Sequence, residues 1–237
     1  MFIDPIYLMV VFLPTLLISG ICSWRVKAAF AKYSKVGSMN GYSGAQAAQL
    51  ILNGEGLDDV QVVETRGFLT DHYDPSRKVL ALSSQNYHGT SIANIGIAAH
   101  ETGHAIQHAQ GYGPLKLRSS LVPLAMVGSG VGYAVMVMGL LLTLMASQAI
   151  GSTVILVGCA LFGLVLLFQL VTLPVEFDAT ARAKQIVVAA GIVHREERVG
   201  MDQVLNAAAM TYVAAVVTTL LTLAYYLMRA FTGLSDD

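Results

Sequence analysis

Two long stretches without a charged side chain limit most strongly what this chain can fold into. They are residues 121–146 and 150–173, joined by a very short turn. About 20 apolar residues in a helix cross the hydrocarbon core of a bilayer, which is about 30 Å thick. The two stretches therefore predict a hairpin of transmembrane helices. Gly128 and Gly132 add a small-residue spacing that permits close helix packing.

Two further apolar segments flank the hairpin, one at each end of the chain. The first runs from Pro5 to Trp24, with Asp4 before it and basic residues directly after it. A cleavable signal peptide carries positive charge before its apolar run, so this order favours an uncleaved span. Its N-terminus is expected outside and the next residues in the cytoplasm. The last predicted span runs from about Thr211 to Met228.

The composition agrees with a membrane protein. Of the 237 residues, 55% are hydrophobic and 12% are charged, whereas about a quarter of an average soluble protein is charged. The net charge of -1, without a basic patch interleaved with aromatics, gives no case for nucleic-acid binding. Cys22 and Cys159 lie in apolar stretches and are interpreted as small hydrophobic residues rather than a disulfide or metal pair.

The first polar segment contains a motif with metal-binding spacing, His100-Glu101-Thr102-Gly103-His104. Side chains four residues apart share one face of a helix, so both imidazoles can bind one zinc ion. Glu101 lies beside the pair, where it can act as the general base of peptide hydrolysis. The histidines could also be polar residues on a solvated face. The residues before them are apolar and indicate a packed helix instead: Ile95, Ile97, Ala98 and Ala99.

Local patterns predict a small sheet followed by the helix that carries the motif. The predicted elements are a helix at 43–53 capped by Ser43, β-rich segments at 60–64 and 67–70, a turn at 71–76, a strand at 78–83, and the motif helix, which begins near Thr90 or Ser91 and ends before Gly111.

A catalytic zinc site needs a third protein ligand and an open position for water. His108 continues the four-residue spacing, but it lies about 12 Å from His100 along the helix axis at 1.5 Å per residue. We therefore assign His108 a structural role or a contact with a residue that binds the metal. The extended motif with a third histidine is excluded because Gln107 and Gln110 stand where it requires glycine and histidine.

The second polar segment offers the remaining candidates for this ligand. Glu176 is predicted to open a helix after the third span, with Pro174 in the first turn. Acidic residues also favour helix N-termini for dipole reasons alone, which is the alternative interpretation of Glu176 and Asp178. The ligand count favours Glu176 as the third ligand, and Asp178 is then placed to orient a histidine.

Three segments together resemble one known family. They read Phe68-Leu69-Thr70-Asp71-His72-Tyr73-Asp74-Pro75, Ala98-Ala99-His100-Glu101-Thr102-Gly103-His104-Ala105-Ile106-Gln107 and Leu173-Pro174-Val175-Glu176-Phe177-Asp178-Ala179. Over essentially the whole chain, their order and the pattern of spans are similar to the YugP-type neutral zinc metallopeptidases of bacterial membranes. The resemblance implies a membrane-embedded zinc peptidase with His100, His104 and a glutamate as ligands.

A more distant similarity is to the HtpX-type and CAAX prenyl proteases. In these a membrane hairpin separates the His-Glu-x-x-His helix from a Glu-x-x-x-Asp helix. Here Thr180 stands four residues after Glu176 in place of that aspartate. The acidic partner of a histidine would then be another residue, for which Asp178 is a candidate.

The predicted fold is a mainly α integral membrane protein with four transmembrane helices. A small α+β, zincin-like (gluzincin) catalytic domain is built from two polar segments, both expected on the cytoplasmic side of the bacterial inner membrane because they hold most of the positive charge. The predicted order is transmembrane helix 1 in 1–24, the polar catalytic segment in 25–118, the hairpin of helices 2 and 3 in 119–173, the polar helical segment in 174–210, and helix 4 with a short tail in 211–237.

The predicted function is zinc-dependent hydrolysis of membrane-associated or cytoplasm-facing polypeptides. One Zn²⁺ per chain activates water, Glu101 is the base, and strand 78–83 is expected to accept the substrate as an added strand. The bilayer is a further expected partner, and oligomeric state is left open. The candidates for substrate binding or oxyanion stabilisation are His72, Tyr73, Tyr87, Arg182 and His194. The alternative for residues 71–76 is an ordinary turn.

Two rival functions are considered. Intramembrane proteolysis is disfavoured because the apolar run before His100, residues 92–99, is too short to span a bilayer. A non-hydrolytic zinc-containing scaffold or chaperone partner is disfavoured because such a protein does not need Glu101 as a base.

Overall fold

The computed structural model of the protein describes residues 4–67 and 70–234. It is mostly helical, with one small sheet. In chain order the elements are α1 (Pro5–Tyr33), α2 (Gly44–Gly54), β1 (Gln61–Thr65), β2 (His72–Asp74), β3 (Val79–Ser83), α3 (Ser84–His88), α4 (Ile92–Ala109), α5 (Gly113–Met145), α6 (Gln148–Ala189) and α7 (Arg198–Leu234). Single π-helical turns interrupt α1 at Leu8–Phe12 and α5 at Gly128–Gly132.

Among the described helices, four are long and apolar enough to cross a membrane: α1, α5, α6 and α7. Their length and composition agree with the four spans predicted from the sequence. Helix α6 has 42 residues, which gives it a length of about 63 Å at 1.5 Å per residue. Because a hydrocarbon core is about 30 Å thick, only part of α6 can lie at membrane depth.

The prediction that a new helix begins at Pro174 is wrong, because α6 continues through this proline to Ala189. A proline inside a helix removes one backbone hydrogen bond and crowds the carbonyl four residues earlier. Packing on one face of the following turns offsets this cost. The residues of that face recur every four positions and are fully buried: Val175, Ala179, Ala183 and Val187.

The chain forms two compact units. The first contains the described residues 4–21, 117–173 and 212–234, and the second contains those of 22–116 and 174–211. In the first unit, glycines allow α5 and α6 to approach closely. A Cβ at Gly128 would lie 2.6 Å from the Leu161 carbonyl oxygen, and one at Gly132 would lie 2.7 Å from the Phe162 nitrogen. The small-residue spacing in the sequence is therefore confirmed as a packing device.

In the second unit, α4 is the central element. One side of it packs on the sheet through Ala98 and Ala105, and another packs on α2, α6 and α7 through a second set of apolar residues: Ile95, Ala99 and Ile106. A capping box fixes its first turn, because the side chains of Ser91 and Asn94 each accept a hydrogen bond from the other's backbone N–H. The predicted start of this helix is confirmed, as is the Ser43 cap of α2.

The sheet has the strand order β1-β3-β2, with β1 parallel and β2 antiparallel to β3. Two sequence predictions fail here. Residues 72–74 form a strand rather than part of a turn, since Tyr73 packs against the core cluster beneath the sheet. The expected substrate-accepting strand, β3, lies in the middle of the sheet with both edges paired. Of the predicted β-rich segment 67–70, Gly67 and Thr70 lie in no strand, and Phe68 and Leu69 lie outside the described residues.

Candidate metal centre

Helices α4 and α6 bring three metal-ligating side chains together. The ligand atoms of His100, His104 and Glu176 all lie within 4.8 Å of one another. Glu176 Oε2 is 3.2 Å from His100 Nε2 and 3.6 Å from His104 Nε2. Two imidazole nitrogens and one carboxylate oxygen form the donor set of a catalytic zinc site, which keeps a fourth position for water. These residues fit the ion that the motif predicts.

The charges at this site favour an ionised Glu176 paired with the two imidazoles. Glu176 is 1% exposed. Burial alone would raise the pKa of its carboxyl, but hydrogen bonds from His100 and His104 outweigh burial and hold that pKa well below its ordinary value. Burial would lower the pKa of His104, but Glu176 and the charge of Glu101 raise it overall. The site thus stabilises the Glu176 carboxylate through positive charge on the histidines, and a divalent metal would supply that positive charge in place of their protons.

Gly103 allows the two helices to approach closely enough for this cluster to form. A Cβ at this position would lie 2.8 Å from the carbonyl oxygen of Ala179 and 3.2 Å from its Cα. Any larger residue would therefore push α4 away from α6, and with it His100 and His104 away from Glu176. Glycine inside a helix costs about 1 kcal/mol relative to alanine, and this was the sequence signal that could have revealed the contact.

Gln107 fixes the orientation of His104, a role that sequence reasoning missed. It is fully buried, and its NH₂ group donates to the Val175 carbonyl at 2.8 Å and to Asp178 Oδ2 at 2.7 Å. Its Oε1 must then be the atom that lies 3.0 Å from His104 Nδ1. His104 therefore donates its Nδ1 proton to Gln107, so the Nε2 lone pair would face the cluster once a metal displaces the Nε2 proton.

Thr180 takes the corresponding place beside His100. Its hydroxyl oxygen lies 3.3 Å from His100 Nδ1. The residue at the aspartate position of the Glu-x-x-x-Asp pattern thus contacts a histidine through an uncharged hydroxyl. Because Thr180 follows Glu176 by four residues, both lie on the same face of α6 and meet the histidines together.

Asp178 differs from its prediction, because among the described contacts its carboxylate bonds Gln107 and Arg182 rather than a histidine. Two residues after Glu176, it lies on another side of the helix. Its influence on His104 passes through Gln107. Arg182 Nε lies 2.6 Å from Asp178 Oδ2, and its Nη1 donates to Gln110 at 2.7 Å. Arg182 therefore links Asp178 to Gln110.

The other predicted histidines lie elsewhere. His108 Nδ1 is 2.9 Å from the Tyr73 hydroxyl, so His108 ties α4 to β2. His72 is exposed, and its Nδ1 lies 2.8 Å from the Thr70 carbonyl oxygen. His194 is exposed in the connection between α6 and α7. Glu101 is half-buried beside the cluster, and its charge contributes to the raised pKa of His104.

Two comparisons with known proteins decide the family. The family model described as "Putative neutral zinc metallopeptidase" matches residues 8–231. The chain belongs to this zinc metallopeptidase family. A curated relative, "Putative membrane protease YugP" of Bacillus subtilis (strain 168), is 44% identical over 221 residues, which cover 92% of this chain and 95% of the relative. The resemblance drawn from three sequence segments is thereby confirmed. No solved structure matches the chain.

Proposed function

We propose that the protein is a membrane-embedded zinc metalloendopeptidase that hydrolyses membrane-associated or cytoplasm-facing polypeptides. The observation that carries this proposal is the convergence of His100, His104 and Glu176 within 4.8 Å, with Glu101 beside them on α4. Zinc held by these three residues would polarise a water molecule and lower its pKa towards neutrality.

Different residues of the protein would transfer the proton and orient the metal ligands. Glu101 accepts the proton of the attacking water and passes it to the leaving amine. Gln107 and Thr180 hold the two imidazole rings by their Nδ1 atoms, so that both Nε2 atoms stay directed to the ligand position. A fixed ring orientation limits the reorganisation needed when the metal and the substrate bind.

The sheet offers a place for an extended substrate. Because β3 is internal, a peptide can pair only with β1 or β2. Strand β2 is the edge tied to the motif helix, through Tyr73 and His108. We therefore place the substrate along the edge of β2 with which no described strand pairs, where main-chain hydrogen bonds would hold it.

The proposed orientation follows the distribution of charge. The N-terminus lies outside, and both polar segments face the cytoplasm, because the basic residues cluster after α1 and around α4 rather than between α5 and α6. The proposed location is the inner membrane of a bacterium. The name of the Bacillus subtilis relative supports a membrane location.

The test is a Glu101→Gln substitution in the purified full-length protein. Removing a general base lowers hydrolysis by about 10²–10⁴-fold, while zinc content measured by elemental analysis stays near that of the parent. New peptide termini in a digested polypeptide mixture, detected by mass spectrometry, report activity. Glu55→Gln, at an exposed position, is the matched control and keeps activity. Cleavage that persists in Glu101→Gln would contradict the mechanism, and a zinc-loaded parent without cleavage would favour the scaffold alternative.

A further inference from the structure

Helices α1 and α7 form a groove in the second unit that contains none of the metal-centre residues among its lining. Its volume is about 440 Å³. It is lined by small residues, Ala28 and Ala29 of α1 and Ala207 of α7, and by larger ones: Trp24, Arg25, Lys32, Tyr33, Gln203, Asn206 and Met210. On the inner side, Phe30, Tyr33 and Val204 hold the two helices together in a buried cluster.

The groove carries the positive charges of Arg25 and Lys32. None of its described lining residues is acidic, and neither Arg25 nor Lys32 forms an ion pair with a described residue. The Lys32 ammonium lies 4.7 Å from the centroid of the adjacent Tyr33 ring. Asn206 accepts a hydrogen bond from Lys184 at 2.5 Å through its amide oxygen, which leaves its NH₂ group as a donor. These groups favour an anionic ligand that accepts hydrogen bonds.

The groove is also polarised along its length. Lys32 and Gln203 lie at one end, and Trp24 and Met210, which are 68% and 46% exposed, lie at the other. Arg25 is one residue from Trp24. Eight residues separate Trp24 from Lys32, or about 12 Å along the helix. At the end marked by Trp24, both helices continue into their apolar segments. A small free anion would contact only the basic and amide groups, whereas an amphiphile would also contact Trp24 and Met210.

We propose that this groove binds the headgroup of an anionic phospholipid. The phosphate lies between Arg25 and Lys32, and the glycerol backbone and first acyl carbons lie against Trp24 and Met210. A basic site next to membrane spans, with an aromatic residue at the interface, is suited to such a lipid. The proposal rests on the membrane spans of the proposed function but not on peptidase activity, so either proposal can fail without the other.

The experiment measures the lipid retained by the full-length protein. Protein from nanodiscs of phosphatidylcholine, alone or mixed with phosphatidylglycerol, is released and examined by native mass spectrometry. We expect one phosphatidylglycerol retained per chain, in preference to phosphatidylcholine. In the Arg25→Gln/Lys32→Gln double variant, retention weakens about 30-fold, because each basic residue near an anionic surface contributes about 1 kcal/mol and about 1.4 kcal/mol corresponds to tenfold.

Two controls separate the groove from general surface charge. The Lys27→Gln/Lys35→Gln variant removes the same charge from residues that do not line the groove, and it retains the lipid. Ala28→Leu adds bulk at an exposed lining position, keeps both cations and releases the lipid. Equal losses in both double variants, or unchanged retention in Ala28→Leu, would overturn the proposal. Displacement of the lipid by inorganic phosphate alone would also overturn it, in favour of a soluble anion.

Discussion

The two compact units use the same close approach of helices for different ends. In the first unit, Gly132 brings α5 to within contact of the α6 backbone at Phe162, and the surrounding core is apolar: Met136, Ile155 and Tyr225. In the second unit, Gly103 brings α4 equally close to α6 at Ala179. There the residues on either side of the contact are His100 and His104 on one helix and Glu176 on the other.

The difference shows that close packing of two helices does not by itself create a metal site. In the first unit, the contact contributes van der Waals attraction between backbones, as in many membrane helix pairs. In the second, the same geometry forces a carboxylate and two imidazoles into a buried space. Such groups tolerate burial only when they are paired and hydrogen-bonded, and Gln107, Thr180 and Asp178 provide that network.

The largest expected effect follows from removing the third ligand. Glu176→Ala leaves two imidazoles to hold the metal, so zinc affinity falls by more than about 100-fold. This loss is larger than the loss of about 10- to 100-fold that is typical when a residue hydrogen-bonded to a ligand is replaced. Elemental analysis should show zinc near one per chain in the parent and near none in the variant. Asp178→Ala is the control and keeps zinc, because its carboxylate contacts Gln107 and Arg182. Zinc retained in Glu176→Ala would place the third ligand elsewhere and break the contrast between the units.

A smaller effect is expected when the support behind His104 is removed. Gln107→Leu keeps the side-chain volume but cannot accept the Nδ1 proton, and we expect zinc affinity to fall by about 10- to 100-fold. Thr180→Val should lie at the lower end of that range, because its contact with His100 is longer, at 3.3 Å. Titration with a competing chelator measures both. Gln110→Leu, which loses only a bond to Arg182, serves as the reference. An unchanged affinity in Gln107→Leu would mean that packing alone orients His104.

The smallest effect on zinc affinity is expected when one methyl group is added at a glycine. This change also compares the two units most directly. Gly103→Ala and Gly132→Ala should each destabilise the protein to unfolding by about 1–3 kcal/mol, the range for overpacking. Zinc affinity should fall by less than about tenfold in Gly103→Ala and stay unchanged in Gly132→Ala. Gly163→Ala, where no described atom outside the adjacent backbone of its own helix lies within 4 Å of the added Cβ, controls for the substitution itself. Equal zinc affinities in the two glycine variants would show that α4 and α6 adjust without moving the ligands.

The features predicted correctly are those encoded by residues close together in sequence. The four long apolar helices, the Ser43 and Ser91 caps and the shared face of His100 and His104 all follow from local patterns. Glu176 was selected by ligand count, and the structure brings it to the histidines. Its helix start at Pro174 was wrong, because the packed face that carries α6 through the proline consists of contacts with other elements.

The features that sequence reasoning missed depend on which elements become neighbours. Nothing near β3 indicates that a short antiparallel strand will cover its second edge. Gln107 looks like an ordinary polar residue of the motif helix until Val175 and Asp178 of α6 are placed beside it. In the sequence, Thr180 indicates only that the aspartate of the Glu-x-x-x-Asp pattern is absent. The structure adds that its hydroxyl contacts His100.

The two positions that the His-Glu-x-x-His motif leaves open are both constrained in this fold. The Thr102 side chain is fully buried, and its hydroxyl donates to the Ala98 carbonyl at 2.8 Å, while Gly103 touches the helix that brings Glu176. A search pattern that accepts any residue at these positions would also collect chains in which that second helix cannot dock. A pattern that requires a small residue at position 103 would select chains in which a second helix can pack against the motif helix. Such a pattern would identify the two histidine ligands and also the contact through which the helix of the third ligand docks.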